Sequence, residues 1–109
     1  MITIVDYAAG NIMSVKCALQ RLGAEYELSS DPKVIAGASK LILPGVGNAS
    51  AAMKDLSEKG LETIIRNLRK PVLGICVGMQ LLCTYSAEGD TRCMGVFDNV
   101  VKRFIPTGD

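Results

Sequence analysis

A cysteine framed by glycines, Gly74-Ile75-Cys76-Val77-Gly78, carries the clearest chemical potential in this chain. A thiolate is a strong nucleophile, and a strand-to-helix elbow presents it at a helix N-terminus, where the dipole favours the anion. The turn is sharp, so small residues are needed on both sides. From the chain's own Gly and Cys content, a G-x-C-x-G match arises by chance in about one such sequence in twenty-five, so context decides its weight. Here the apolar run Pro71 to Ile75 precedes it and the apolar helical stretch Val77 to Tyr85 follows. The same residues would also suit a buried structural cysteine.

Two further turns bear on Cys76. In Pro44-Gly45-Val46-Gly47 the glycines lack Cβ, so backbone N–H groups can approach a ligand as the donors of an oxyanion hole, with the Val77 N–H as a second donor. Alone, such a stretch is only a turn, and pairing with the elbow gives it meaning. Gln80 lies about one helical turn past Cys76, so its amide faces either a substrate or solvent. Asp6-Tyr7-Ala8-Ala9-Gly10-Asn11 reads equally as a functional loop or as a strand-to-helix turn capped by Asn11.

The elements that position these turns alternate. Ile2 to Asp6 reads as a strand, followed by a helix burying Ile12, Val15, Leu19 and Leu22 and closed by Gly23. Glu25 to Leu28 is a second strand, Asp31-Pro32 opens a short helical turn, and Lys40 to Leu43 is a third strand. Ala49 to Leu56 and Leu61, Ile64, Ile65 and Leu68 have helical spacing before the fourth strand, Pro71 to Ile75. Short apolar strands alternating with helices imply an open parallel α/β sheet covered on both faces. Sites in such sheets form at the C-terminal strand ends, where all three turns lie. Beyond Tyr85 the chain becomes polar, and Gly95-Val96-Phe97 and Val100-Val101 suggest a hairpin or edge strands. The last residues, Pro106 to Asp109, read as a turn that is cut rather than capped.

At 109 residues the chain is expected to be one domain or part of one. Twelve Lys and Arg against eleven Asp and Glu are interleaved, which argues against a nucleic-acid or anionic-membrane partner. Neither a signal segment nor an apolar run of membrane-spanning length is present, so a cytoplasmic location is expected. The four cysteines form no C-x-x-C pair and there is no histidine, which predicts reduced thiols, no metal and no cofactor. Cys17 and Cys83 fall in apolar helical patterns and are expected in the core, while Cys93 has no interpretable context.

These residues resemble the class I glutamine amidotransferases, and within them the glutaminase subunits of imidazole glycerol phosphate synthase. The matching segments are Ile4-Val5-Asp6-Tyr7 with Gly10-Asn11, Leu43-Pro44-Gly45-Val46-Gly47 with Ala52-Met53, Gly74 to Gln80, and Met94-Gly95-Val96-Phe97 leading to Val101-Lys102-Arg103-Phe104. The resemblance implies a flavodoxin-like fold in which Cys76 attacks the side-chain amide carbon of glutamine. It further implies that Gly47 and Val77 hold the oxyanion and that Gly45, Val46 and Gln80 line the substrate site. A cyclase (β/α)₈ barrel would receive the ammonia, with Tyr7, Gly10 and Asn11 near that partner. Ala8 stands where the family usually has glycine, and Asn48-Ala49-Ser50 where an aromatic residue is common. Anthranilate and pyridoxal phosphate synthase glutaminases share the thiol chemistry, but the Asp-Tyr-x-x-Gly-Asn start and Val-Lys-Arg-Phe segment favour the histidine pathway.

The family's base and its orienting glutamate sit in a His-x-Glu segment of the C-terminal half, and this chain contains no histidine. General acid–base help contributes about 10² to 10⁴-fold, so the chain alone is expected to be nearly inactive. Three explanations compete: a fragment of a longer product, a split enzyme completed by another chain, or a non-catalytic flavodoxin-like module. Loss of later strands would also expose a sheet edge through which copies could self-associate.

Overall fold

The computed structural model describes residues 1–8, 12–83, 85–86, 91–95 and 100–101, with the backbone alone at Tyr85, Ser86, Thr91, Val100 and Val101. Four strands, β1 (Ile2–Val5), β2 (Tyr26–Ser29), β3 (Lys40–Leu43) and β4 (Val72–Gly74), form a wholly parallel sheet in the order β2-β1-β3-β4. Ile4 pairs with Leu28 on one side and Ile42 on the other, and Leu43 pairs with Gly74. This is the α/β doubly wound arrangement expected, with the order reversing beside β1.

Alternation along the strands sends side chains to two apolar layers. On one face Ile4 and Ile42 pack with Val15 and Leu19 of α1 (Ile12–Arg21). On the other, Val5, Leu41 and Leu43 pack with α2 (Pro32–Ala36), α3 (Ala49–Glu58), α4 (Glu62–Arg66) and α5 (Val77–Leu82). Leu56, Leu61 and Ile65 there are at most 1% exposed, and burying each such side chain contributes about 1.5–3 kcal/mol.

Local chemistry starts and stops these helices. Asp31 caps α2 by accepting from the Lys33 N–H at 2.9 Å, and Asn48 caps α3 by accepting from Ser50 at 2.7 Å. Gly23 ends α1 at φ 67° while Ala24 N–H bonds Leu19 O and Gly23 N–H bonds Gln20 O.

Three expectations are corrected. Leu22 is 79% exposed, because it falls in the turn beyond the last residue of α1. Cys17 is exposed, lying two residues from both Val15 and Leu19 and so about 200° around the helix from each. Helix α5 stops at Leu82 instead of reaching Tyr85, because the Met94 and Gly95 N–H groups bond the Leu81 and Cys83 carbonyls and Cys83 turns extended. The chain then enters a second small sheet, in which β5 (Tyr85–Ser86) pairs antiparallel with β6 (Thr91–Arg92) and parallel with β7 (Val100–Val101). The suggested strand at Gly95-Val96-Phe97 lies mostly outside the described residues. Cys83 is buried as expected, and Cys93 and Met94 are buried as well.

Candidate active site

Strand β4 delivers the chain to Cys76 and α5 carries it away. Cys76 is the one non-glycine residue with positive φ among those described, at φ 55° and ψ −121°, and its side chain is exposed. An L-residue held there stores about 1–3 kcal/mol of strain, which persists only where the surroundings enforce it. They do so through both neighbouring glycines. A Cβ on Gly74 would stand 2.7 Å from Met79 Cα, and one on Gly78 would run into the Leu43 carbonyl. Ile75 N–H also bonds Leu43 O at 3.0 Å, locking the elbow to β3. The two glycines of the motif are therefore required by close backbone approach, as the sequence suggested.

The Pro44–Gly47 loop meets the elbow. Gly45 is buried, and a Cβ on it would lie 2.7 Å from the Gly78 N and 2.7 Å from the Tyr7 hydroxyl. Cys76, Ile75, Pro44, Gly45 and Val46 line one cavity of about 120 Å³ together with Ser14 and Val15 of α1. Ser14 was missed by sequence reasoning, although the topology carries the start of α1 to the same sheet edge. Gly47 ends this loop at φ 86° and does not line the cavity, and Gln80 is half-buried on α5 with its N–H on Cys76 O at 3.3 Å. A larger apolar cavity, about 280 Å³, lies at the opposite strand ends around Ile2, Lys40 and Pro71, away from the thiol.

One feature of this conformation bears directly on oxyanion binding. The Val77 N–H, expected as the second oxyanion donor, donates to the Gly45 carbonyl at 3.0 Å. Tyr7 lies inside, 5% exposed, and its hydroxyl donates to the Pro44 carbonyl at 2.5 Å. The Tyr7 ring is therefore covered within this chain, while Gly10 and Asn11 lie outside the described residues. The next residue is anchored too: Ala8 N–H donates to the Asp55 carboxylate at 2.7 Å, and Lys59 donates to the other oxygen at 2.7 Å. Burial, and secondarily the Asp55 charge, pushes the Tyr7 phenol well above its ordinary range, so it remains a donor. The Ala8 hydrogen bond, aided by Lys59, holds the Asp55 carboxyl below its usual range.

A nucleophile elbow at the carboxyl edge of a 2-1-3-4 parallel sheet, faced by a glycine loop, fits a class I amidotransferase domain. The chain belongs to that family, whose model, glutamine amidotransferase class-I, matches residues 3–105. It is similar to the imidazole glycerol phosphate synthase subunit HisH of Bacteroides fragilis, 51% identical over 105 residues covering 96% of this chain and 54% of the relative. The HisH subunit of Vibrio cholerae is 46% identical over 114 residues, covering 99% of this chain and 56% of that protein. The chain thus spans about half the length of these curated relatives.

Proposed function

We propose that this chain is the nucleophile-bearing part of a glutaminase of the imidazole glycerol phosphate synthase type. The observation that carries the reading is Cys76 held at positive φ over a cavity shared with Gly45 and Val46. The thiolate attacks the side-chain amide carbon of glutamine, forming a C–S bond and an oxyanion. Collapse expels the nitrogen, which takes a proton and leaves as ammonia, and water then cleaves the thioester to glutamate and the free thiol. A histidine supplied by residues beyond this chain would move both protons.

The oxyanion needs donors that this conformation does not yet offer. Rotation of the Gly45–Val46 peptide would remove the Gly45 carbonyl from Val77 N–H and turn the Val46 N–H toward the thiol. That would make Val77 and Val46 the donors, in place of the Gly47 donor that the resemblance implied, with Gly47 at φ 86° closing the loop. Gln80, on the same helix, would bind the glutamine. A cyclase barrel would receive the ammonia near the turn containing Gly10 and Asn11, within a cytoplasmic complex. Leu73 on the outer strand β4 is 57% exposed, and self-association of the isolated chain along that edge belongs to the same reading. A monomeric mass by light scattering at every concentration would remove it.

The test is glutamate release by a polypeptide that extends this chain through a His-x-Glu segment, assayed with its barrel partner. Release should vanish in Cys76→Ala, and the 109-residue chain alone should not exceed that variant. Equal release with and without the Cys76 thiol would defeat the proposal and favour a non-catalytic module.

A further inference from the structure

Two consecutive carbonyls of the Pro44–Gly47 loop are held by two different donors. Pro44 O accepts from the Tyr7 hydroxyl at 2.5 Å, and Gly45 O accepts from Val77 N–H at 3.0 Å. A buried carbonyl needs a donor, and for Pro44 a side chain from the end of another strand supplies it. Tyr7 reaches it from the end of β1, across the sheet edge, with its ring buried and its oxygen against Gly45 itself. Its backbone is fixed from the other side by the Ala8 to Asp55 hydrogen bond.

We infer that Tyr7 is a positioning residue for the oxyanion loop, clamping the Pro44–Gly45 peptide so that turning of the loop falls to the Gly45–Val46 peptide, which exchanges its bond from Val77 N–H. The inference rests on the glutaminase reading for its purpose, but the clamp is a property of the fold. With Pro44 O held, the pivot for exchanging the Gly45 carbonyl for the Val46 N–H is confined to Gly45 ψ and Val46 φ. Gly45 tolerates that change because it lacks Cβ, and the space a Cβ would need is already taken by Tyr7 Oη and Gly78 N. The hydroxyl thus sets where the loop carbonyl meets Val77 and, after rotation, where the incoming N–H stands relative to Cys76. Without it, the buried Pro44 O is left with no donor among the described residues, and the loop relaxes away from α5.

Amide hydrogen exchange of the chain, resolved by residue, tests this. Tyr7→Phe should speed exchange of the Val77 amide about tenfold, the size expected for one net hydrogen bond. The Leu41 amide, bonded to Pro71 O, and the Ile65 amide, bonded to Leu61 O, should keep their rates. A merely structural ring would move all three together, and that result, or an unchanged Val77 rate, overturns the inference. Replacing Tyr7 by 4-aminophenylalanine restores a donor and should return Val77 to its original rate, which keeps the test decisive even where Tyr7→Phe does not fold. Failure of that rescue overturns the inference as well. None of these rates depends on glutamine turnover, so loss of the glutaminase reading would be seen separately, in the labelling of Cys76.

Discussion

Replacing Cys76 by glycine should stabilise the fold relative to Cys76→Ala, which is unusual for a change to glycine. Both variants remove an exposed sulfur, so they differ mainly in backbone cost at φ 55°, ψ −121°. Alanine keeps the Cβ and the strain, worth about 1–3 kcal/mol, whereas glycine adopts this region freely. Against that, glycine adds unfolded-chain entropy that costs about 0.4–1 kcal/mol. The net expectation is about 1 kcal/mol in favour of glycine, and Cys76→Ala should match the parent within about 0.5 kcal/mol. With a urea m-value of about 1–1.5 kcal/mol/M for a small domain, the glycine variant's midpoint should lie roughly 0.7–1 M above the alanine variant's. Circular dichroism through a urea series at unchanged m measures it. A glycine midpoint at or below that of alanine would refute the idea that the elbow holds Cys76 under strain.

Other outcomes follow from the same geometry. Gly78→Ala, which in an ordinary helix interior would gain stability, should instead destabilise by about 1–3 kcal/mol or more, because its Cβ meets the Leu43 backbone. Gly60→Ala, at φ 71° with open space around it, should lose only about 1–2 kcal/mol, and thermal melts of the two variants compare them directly. The Asp55 carboxyl is held below its usual range, so it favours the folded state above the unfolded-state value of about 4, and that contribution fades as pH falls through the lower folded value. Exchange of the Ala8 amide, corrected for intrinsic rates, should therefore accelerate as pH is lowered below about 4, and Asp55→Asn should abolish that pH dependence.

Residue type and spacing made the elbow legible, because only glycine meets the demands placed on positions 74 and 78 by close backbone approach. The parallel strands were legible for a similar reason, since Ile2 to Val5 and Lys40 to Leu43 are short apolar runs between turn residues. Helix ends were harder to read. The end of α5 is set by hydrogen bonds from Met94 and Gly95, a distant segment that no local pattern announces. Periodicity misplaced Cys17, which lies about 200° around α1 from Val15 and Leu19, and Leu22, which falls beyond the helix end that apolar character alone does not mark. The burial of Tyr7 and its bond to Pro44 were invisible, as an aromatic residue in a turn reads equally as surface. Nor does sequence encode which way the Gly45–Val46 peptide faces, so the occupied Val77 N–H came only from the structure.

The central proposal is that Cys76 is the nucleophile of a glutamine-binding site, and selective alkylation tests it most directly. A glutamine-like diazo-ketone should give one adduct, found by peptide mass mapping on Cys76 and suppressed by excess glutamine. Cys17 is equally a free, exposed thiol and serves as the internal control, with Cys83 and Cys93 buried. Modification of Cys17 as fast as Cys76, or labelling of Cys76 that glutamine does not slow, would contradict the account.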